Sequence, residues 1–410
     1  MNPHRVDVPR WTWLILLAIV GTMACMLPSG ALGFGTAAGI NGMASDHESI
    51  TRAALSCGAG QNGRFRGIPD PVPNCFGPKS IDNLAGFGSF AKGCGTIVDR
   101  CGVHYVGSGF GAVGASDNMA MRVGLSSPGG PDWWHCDNGD YLDQTNYPQS
   151  VEQSRTALMW CQNFGQAMLT QGLTGNMATW CGGALRWRAP CFGAVKAANY
   201  LLNTSNNVNT GMDLQTPCAF AGGDWISKPY AKCTVLEPFG YLLHVAMDFY
   251  AHTNYGDTAS PGAATLTNPP GLENTTLPNF WNQSGNVTDL WDNTLFPNQP
   301  NGIWPVSGCY NGIVSADGGT CVGRVTHTAI TKDLTGGVRW WLGGAATIVK
   351  SGSPRGQIAN NEQQAVTLAI REVRRQWQRL QDNLIATYGV ERGTKMICAM
   401  IKDDPAKECN

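Results

Sequence analysis

The chain has 410 residues, of which 43% are hydrophobic and only 14% charged, so it carries enough apolar material for a sizeable core in one large domain or two smaller ones. A formal net charge of −1 excludes any global electrostatic attraction to nucleic acid or an acidic surface.

The N-terminus reads MNPHRVDVPR and then WTWLILLAIVGTMACMLPSGALG. Basic residues, an apolar run and small residues after it predict a secretory signal peptide over residues 1–33, with Ala31 and Gly33 placing cleavage before Phe34. The competing reading is an uncleaved membrane anchor, against which the helix breakers Pro28 and Gly30 stand. A lipid attachment at Cys25 lacks the aliphatic residue usual three positions earlier. Of the 15 cysteines, all but Cys25 remain after cleavage, an even number. With an export signal this predicts a disulfide framework in an oxidising, extracellular compartment. No C-x-x-C pair occurs, which disfavours a cysteine zinc ribbon. The short-loop candidates are Cys94 with Cys101, Cys309 with Cys321, and Cys398 with Cys409.

Residues 34–44 are Gly-rich, and SDHESITRAAL follows, where Ser45 or Asp46 can cap a short helix. Residues 58–140 are dense in Gly, Pro and Cys and read as a long stapled loop region. Helical periodicity returns over about 150–171, with Val151, Ala157, Leu158, Cys161, Phe164 and Met168 at three- and four-residue steps. A further candidate helix covers 192–202, and another follows Pro238. Residues 256–320 are irregular, with glycosylation triplets at Asn274, Asn282 and Asn286 that otherwise mark surface turns. The last strong element runs from 361 to 388, with an apolar stripe of Val366, Ile370, Val373, Trp377, Leu380 and Leu384. Arg371, Arg374, Arg375 and Arg379 lie on another face, read either as solvated or as a phosphate- or lipid-contacting patch. The balance predicts a mainly α fold: one helical domain over 34–395 with long disulfide-braced loops, and a disulfide-tied tail over 396–410.

Within LLHVAMDFYAHTNY, residues 242–255, His244, Asp248 and His252 recur at four-residue intervals. Residues four apart on a helix are neighbours, so His244 with Asp248, or Asp248 with His252, can meet one metal ion. The two histidines are about 12 Å apart along the axis, too far for one zinc with ligands at about 2 Å. The spacing therefore predicts two ions, with Asp248 the only helix residue placed to share between them. The bland alternative is a pair of histidines hydrogen-bonded inside a core helix. Elsewhere His135 stands in GPDWWHCDNGDYLD beside Asp132, Asp137, Asp140 and Asp143, where turn-forming aspartates around a buried histidine are the plain reading. His327 lies in VTHTAITKD with Asp333 six residues on, His47 lies near the expected mature N-terminus, and His104 reads as structural. No G-x-S-x-G elbow occurs, and the Gly-rich run GSGFGAVGAS lacks the lysine of a phosphate loop.

The motif LLHVAMDFYAHTNY resembles the helix motif of HET-C-like proteins and of secreted bacterial CinY-like proteins, which are similar to the zinc-dependent phospholipase C and single-strand nuclease superfamily. SDHESITRAAL, WWHCDNGDYLD and THTAITKD resemble the other segments shared by the CinY-like group, in the same order. The resemblance spans most of residues 34–335 as spaced motifs. It implies a mainly helical fold with two or three zinc ions. It also implies that His47 and the freed amine of Phe34 are metal ligands, as are His135 and an aspartate upstream of it, with Asp117 the first choice and Asp132 the second. His244 and Asp248 match an H-x-x-x-D pair in which Asp248 bridges, and His252 and His327 serve another ion. The family's enzymes place the histidine further beyond the aspartate than His252 lies. They also follow the later histidine with a glutamate one turn on, where this chain has Thr331 and then Asp333. The mature terminus is Phe where the family's enzymes typically have Trp. The implied activity is phosphoester hydrolysis, of a phospholipid or a nucleic acid, with Asp117 and Asp248 in catalytic positions. Apart from the resemblance, Trp133, Trp134, Trp340 and Trp341 read as core or loop anchors or, in a third reading, as peripheral membrane contacts, and no stable nucleic-acid partner is expected. HET-C-like relatives also support a non-catalytic interaction or structural protein on the same scaffold.

Overall fold

The computed structural model describes residues 46–57, 72–86, 112–113, 135–173, 201–208, 231–282, 305–310, 321–332 and 353–410. These residues belong to one compact unit, Leu32–Asn410. The signal segment and Cys25, the Cys94 and Cys101 pairing, His104, the paired tryptophans and Asn286 lie outside the described residues.

The described chain is helical, with no strand and only isolated bridges. Its elements are α1 (Asp46–Leu55), α2 (Pro78–Ala85), α3 (Val151–Leu173), α4 (Ala231–His252), a 3₁₀ turn (Asn279–Asn282), α5 (His327–Ile330), α6 (Pro354–Gln357), α7 (Asn361–Tyr388), α8 (Val390–Ile401) and α9 (Pro405–Glu408). The long amphipathic helix expected over 361–388 is α7, and each residue of its apolar stripe is buried.

Helix α4 is the centre of the fold. It packs against α3 and α7 most extensively, and also against α1, α2 and α8. Val235, Leu236, Phe239, Leu242, Leu243, Val245, Ala246, Met247, Phe249 and Ala251 are all fully buried, so most of the helix surface is apolar and it behaves as a core helix. This burial explains why it begins at Ala231 and runs through Pro238, before the start after Pro238 that the sequence suggests. A proline in a helix interior costs about 3 kcal/mol, less than the apolar side chains around it recover on burial.

Helix α2 falls inside the segment read as loop. Gly77 has no side chain to cap it. The cap comes instead from Asp403, whose carboxylate accepts from Lys79 N at 3.0 Å and Ser80 N at 2.9 Å across more than 300 residues. Local sequence carries no trace of such a cap. Most of the candidate helix at 192–202 lies outside the described residues, and its last two, Leu201 and Leu202, form a turn and an isolated bridge to Val208.

Among the described residues, four cysteine pairs stand at disulfide distance: Cys57–Cys75, Cys136–Cys161, Cys309–Cys321 and Cys398–Cys409. Two of them are expected short-loop pairs, and such bridges fit an oxidising compartment. No helix among the described residues is long and apolar enough to cross a membrane.

Of the α7 arginines, Arg371 is exposed, as a solvated face requires, while Arg374, Arg375 and Arg379 are half-buried. Arg371 donates to Thr275 O, Arg374 to Ala54 O, Arg375 to Pro278 O and Arg379 to Trp281 O. They donate to carbonyls of the irregular segment, of the 3₁₀ turn and of α1. Asn274 is buried and donates its side-chain amide to Tyr255 O, so this triplet is neither a surface turn nor open to glycosylation.

Candidate metal centre

Helix α4 presents His244, Asp248 and His252 on one face, all buried. Helix α1 supplies His47, whose Nε2 lies 3.1 Å from Asp248 Oδ1 and whose ring stacks on that of His244 with centroids 4.0 Å apart. The segment before α3 supplies His135, whose Nδ1 lies 2.7 Å from Asp248 Oδ2. His244 Nε2 lies 3.0 Å from the same oxygen. The ligand atoms of His47, His244 and Asp248 all lie within 4.8 Å of one another.

A close backbone approach makes this possible. A Cβ on Gly240 would sit 2.5 Å from the Ala112 backbone. The missing side chain lets residues 112–113 reach α4, and Val113 O accepts from His244 Nδ1 at 3.0 Å. That bond fixes the tautomer: with the proton on Nδ1, the lone pair of a neutral His244 is on Nε2, facing the Asp248 carboxylate. A proton on Nε2, making an imidazolium–carboxylate pair, or a metal ion shared by the two groups makes this 3.0 Å approach favourable. Burial pushes the Asp248 carboxyl up, but His244, His47, His252 and the His135 hydrogen bond hold it well below the usual carboxylate range. The group is therefore an anion surrounded by imidazoles.

A second group lies at the C-terminal end of α4. His252, Asp137 and His327 bring ligand atoms within 4.8 Å of one another, all buried. His327 Nδ1 is 3.0 Å from Asp137 Oδ1, and the His252 and His327 rings meet edge to face at 4.5 Å. His252 Nδ1 donates to His135 O at 2.7 Å, which puts the acceptor of the neutral ring on Nε2. The irregular segment delivers His327. Thr253 pairs with Ser307, Cys309 pairs with Thr326, and His327 N donates to Cys309 O. Gly308 passes so close to His327 that a Cβ there would sit 2.4 Å from His327 Cα. Asp137 is placed from the other side, by Asn138 N donating to Gly308 O and Ser307 N to Gly139 O.

His47, His135, His244, Asp248, His252 and His327 are thus brought to one face of the core. Phe34, Asp117, Asp132 and Asp333 lie outside the described residues. Asp137 is the residue the sequence reading leaves among turn-forming aspartates. Its neighbour Asp140 is instead paired bidentately with Arg324, and spacing alone does not tell the two apart.

The donor sets suit a divalent metal ion, zinc among them. Tetrahedral ligands at about 2.0–2.1 Å lie about 3.3 Å apart, close to the 3.0 and 3.1 Å contacts of the first group and the 3.0 Å contact of the second. Each group offers two imidazoles and one carboxylate. Two of the imidazoles donate their other N–H to a backbone carbonyl, the support that metal-bound histidines commonly have. No family model, curated protein or solved structure matches the chain.

Proposed function

We propose that the protein is an exported zinc-dependent hydrolase of phosphoester bonds. The metal part rests on one observation above all: His47, His244 and Asp248 bring ligand atoms within 4.8 Å of one another in the protein interior, with Nδ1 of His244 engaged by Val113 O and its Nε2 aimed at Asp248. The phosphoester part rests on the resemblance of four ordered segments to the phospholipase C and single-strand nuclease superfamily.

His47, His244 and Asp248 would hold one ion, and Asp137, His252 and His327 the other. Bound zinc supplies polarisation of a phosphoryl oxygen and a water acidified toward neutral pH. Asp248, held ionised, contributes the anionic charge that a dication needs. His135 orients that carboxylate through its Nδ1–H. It is the most exposed of the site histidines at 8%, and so the one placed to pass a proton between the interior and solvent. The substrate class is a phospholipid or a nucleic acid.

A second reading draws on the burial of all six group residues, each at 2% exposure or less. Ions so enclosed also suit a structural role, bracing an interaction protein without catalysis. Elemental analysis of protein never exposed to chelator, with hydrolysis assays on a phosphocholine lipid and on single-stranded nucleic acid, separates the two. The hydrolase reading expects about two zinc ions per chain and activity that a chelator abolishes. Folded protein with almost no metal rejects both readings, and bound metal without hydrolysis of either substrate leaves the bracing role.

A further inference from the structure

The tripeptide His135–Cys136–Asp137 touches both groups. The His135 side chain reaches Asp248 in the first, its carbonyl accepts from His252 in the second, and the Asp137 carboxylate belongs to the second. Between them Cys136 has φ 58°, a left-handed conformation that a residue with a Cβ adopts only when its surroundings impose it. What holds it is a fully buried position and the Cys136–Cys161 bridge to α3.

We propose that this tripeptide is a positioning element coupling the two metal groups, so that loading one group raises the affinity of the other, and that the Cys136–Cys161 bridge maintains the coupling. The proposal rests on the metal-binding reading given above. The physical link is short. An ion on His252 makes its Nδ1–H a stronger donor, which tightens the bond to His135 O and orients the 135–136 peptide. The same peptide carries the imidazole whose Nδ1–H holds Asp248. Loading in the reverse direction must have the same effect, because coupling between sites is reciprocal.

The test uses the full mature chain, stripped with a chelator and then titrated with cobalt(II), whose visible bands report ligand geometry, and with zinc against a chromophoric competitor. In the wild-type chain, filling the second group should shift the cobalt bands of the first. His327→Ala, which disables only the second group, should weaken the first by about tenfold, the scale typical of lost outer-shell support. Cys136→Gly with Cys161→Ala removes the bridge while supplying a residue that accepts the positive φ. This double variant should weaken both groups and abolish the band shift. Removing the distant Cys398–Cys409 bridge should do neither. Metal bound at two independent sites, with the first group unchanged in His327→Ala, overturns the coupling while leaving the metal reading intact. Unchanged affinities after loss of the Cys136–Cys161 bridge overturn the role of the bridge. A wild-type chain that binds no metal overturns the coupling together with the reading beneath it. Should the unbridged chain fail to fold, the His327→Ala comparison decides the coupling by itself.

Discussion

His244 and His252 differ in what surrounds them although they sit on the same helix face. Each donates Nδ1–H to a carbonyl from a distant segment, Val113 for one and His135 for the other, so each has a defined acceptor nitrogen. The carboxylates divide the work: Asp248 stands with His47 and His244, and Asp137 with His252 and His327. Asp248→Asn should therefore release the ion of the first group, and Asp137→Asn that of the second. Each variant keeps side-chain size, so helical circular dichroism should be unchanged while zinc content falls by about one ion. Undiminished zinc in both variants would show that the carboxylates are core hydrogen-bonding residues and that the histidines are simply satisfied within the helix bundle.

At the scale of elements, the C-terminal region is tied to the core by polar contacts rather than by its bridge alone. Lys232, at the start of α4, is fully buried and donates to Ser80 Oγ at 2.7 Å and Lys402 O at 2.8 Å. Two acceptors suit a neutral amine. Burial pushes the Lys232 ammonium down to about 7, against the opposing pull of Asp403 and Glu408. Between pH 7 and 10.5 the unfolded chain holds a proton here that the folded chain does not, so stability rises with pH over that window. The full effect is on the order of 5 kcal/mol. Lys232→Met should flatten this rise, measured as urea midpoints at pH 7 and pH 10. An equal rise in wild type and variant would show that Lys232 is not its source. Helix α2 depends on the same region, since Asp403 caps it from outside, and for that reason its sequence reads as loop.

Across the whole molecule, one buried clamp joins three segments. Asp257, just after α4, pairs with Lys332, which follows α5, at 3.0 Å and with Arg355 of α6 at 2.9 Å. Arg355 also donates to Pro269 O, and Lys332 N donates to Ala251 O. The clamp holds the His327 segment against the end of α4 that carries His252. Asp257→Asn leaves two buried cations without their shared carboxylate and should cost about 3–5 kcal/mol. The loss should appear as a lower denaturation midpoint, with weakened zinc at the second group and little change at the first. A midpoint within about 0.5 kcal/mol of wild type would show the clamp to be dispensable.

The sequence by itself determined the helical periodicity of α7, the helical character of α3 and α4, and the His244, Asp248 and His252 face, because side chains three and four residues apart are neighbours on any helix. It left disulfide connectivity open but offered Cys309 with Cys321 and Cys398 with Cys409 as candidates, since short loops bring their ends together readily. Tertiary structure alone decided which residues from other segments complete each group. Nothing local distinguishes Asp137, which faces His327, from Asp140, which faces Arg324; the difference lies in how residues 305–310 and 321–327 pass beside them. It also decided that the α7 arginines serve carbonyls and that α2 forms at all, because both depend on partners distant in the chain. A helix records its own periodicity in sequence, whereas a shared ligand set or a remote cap exists only once separate segments are packed together.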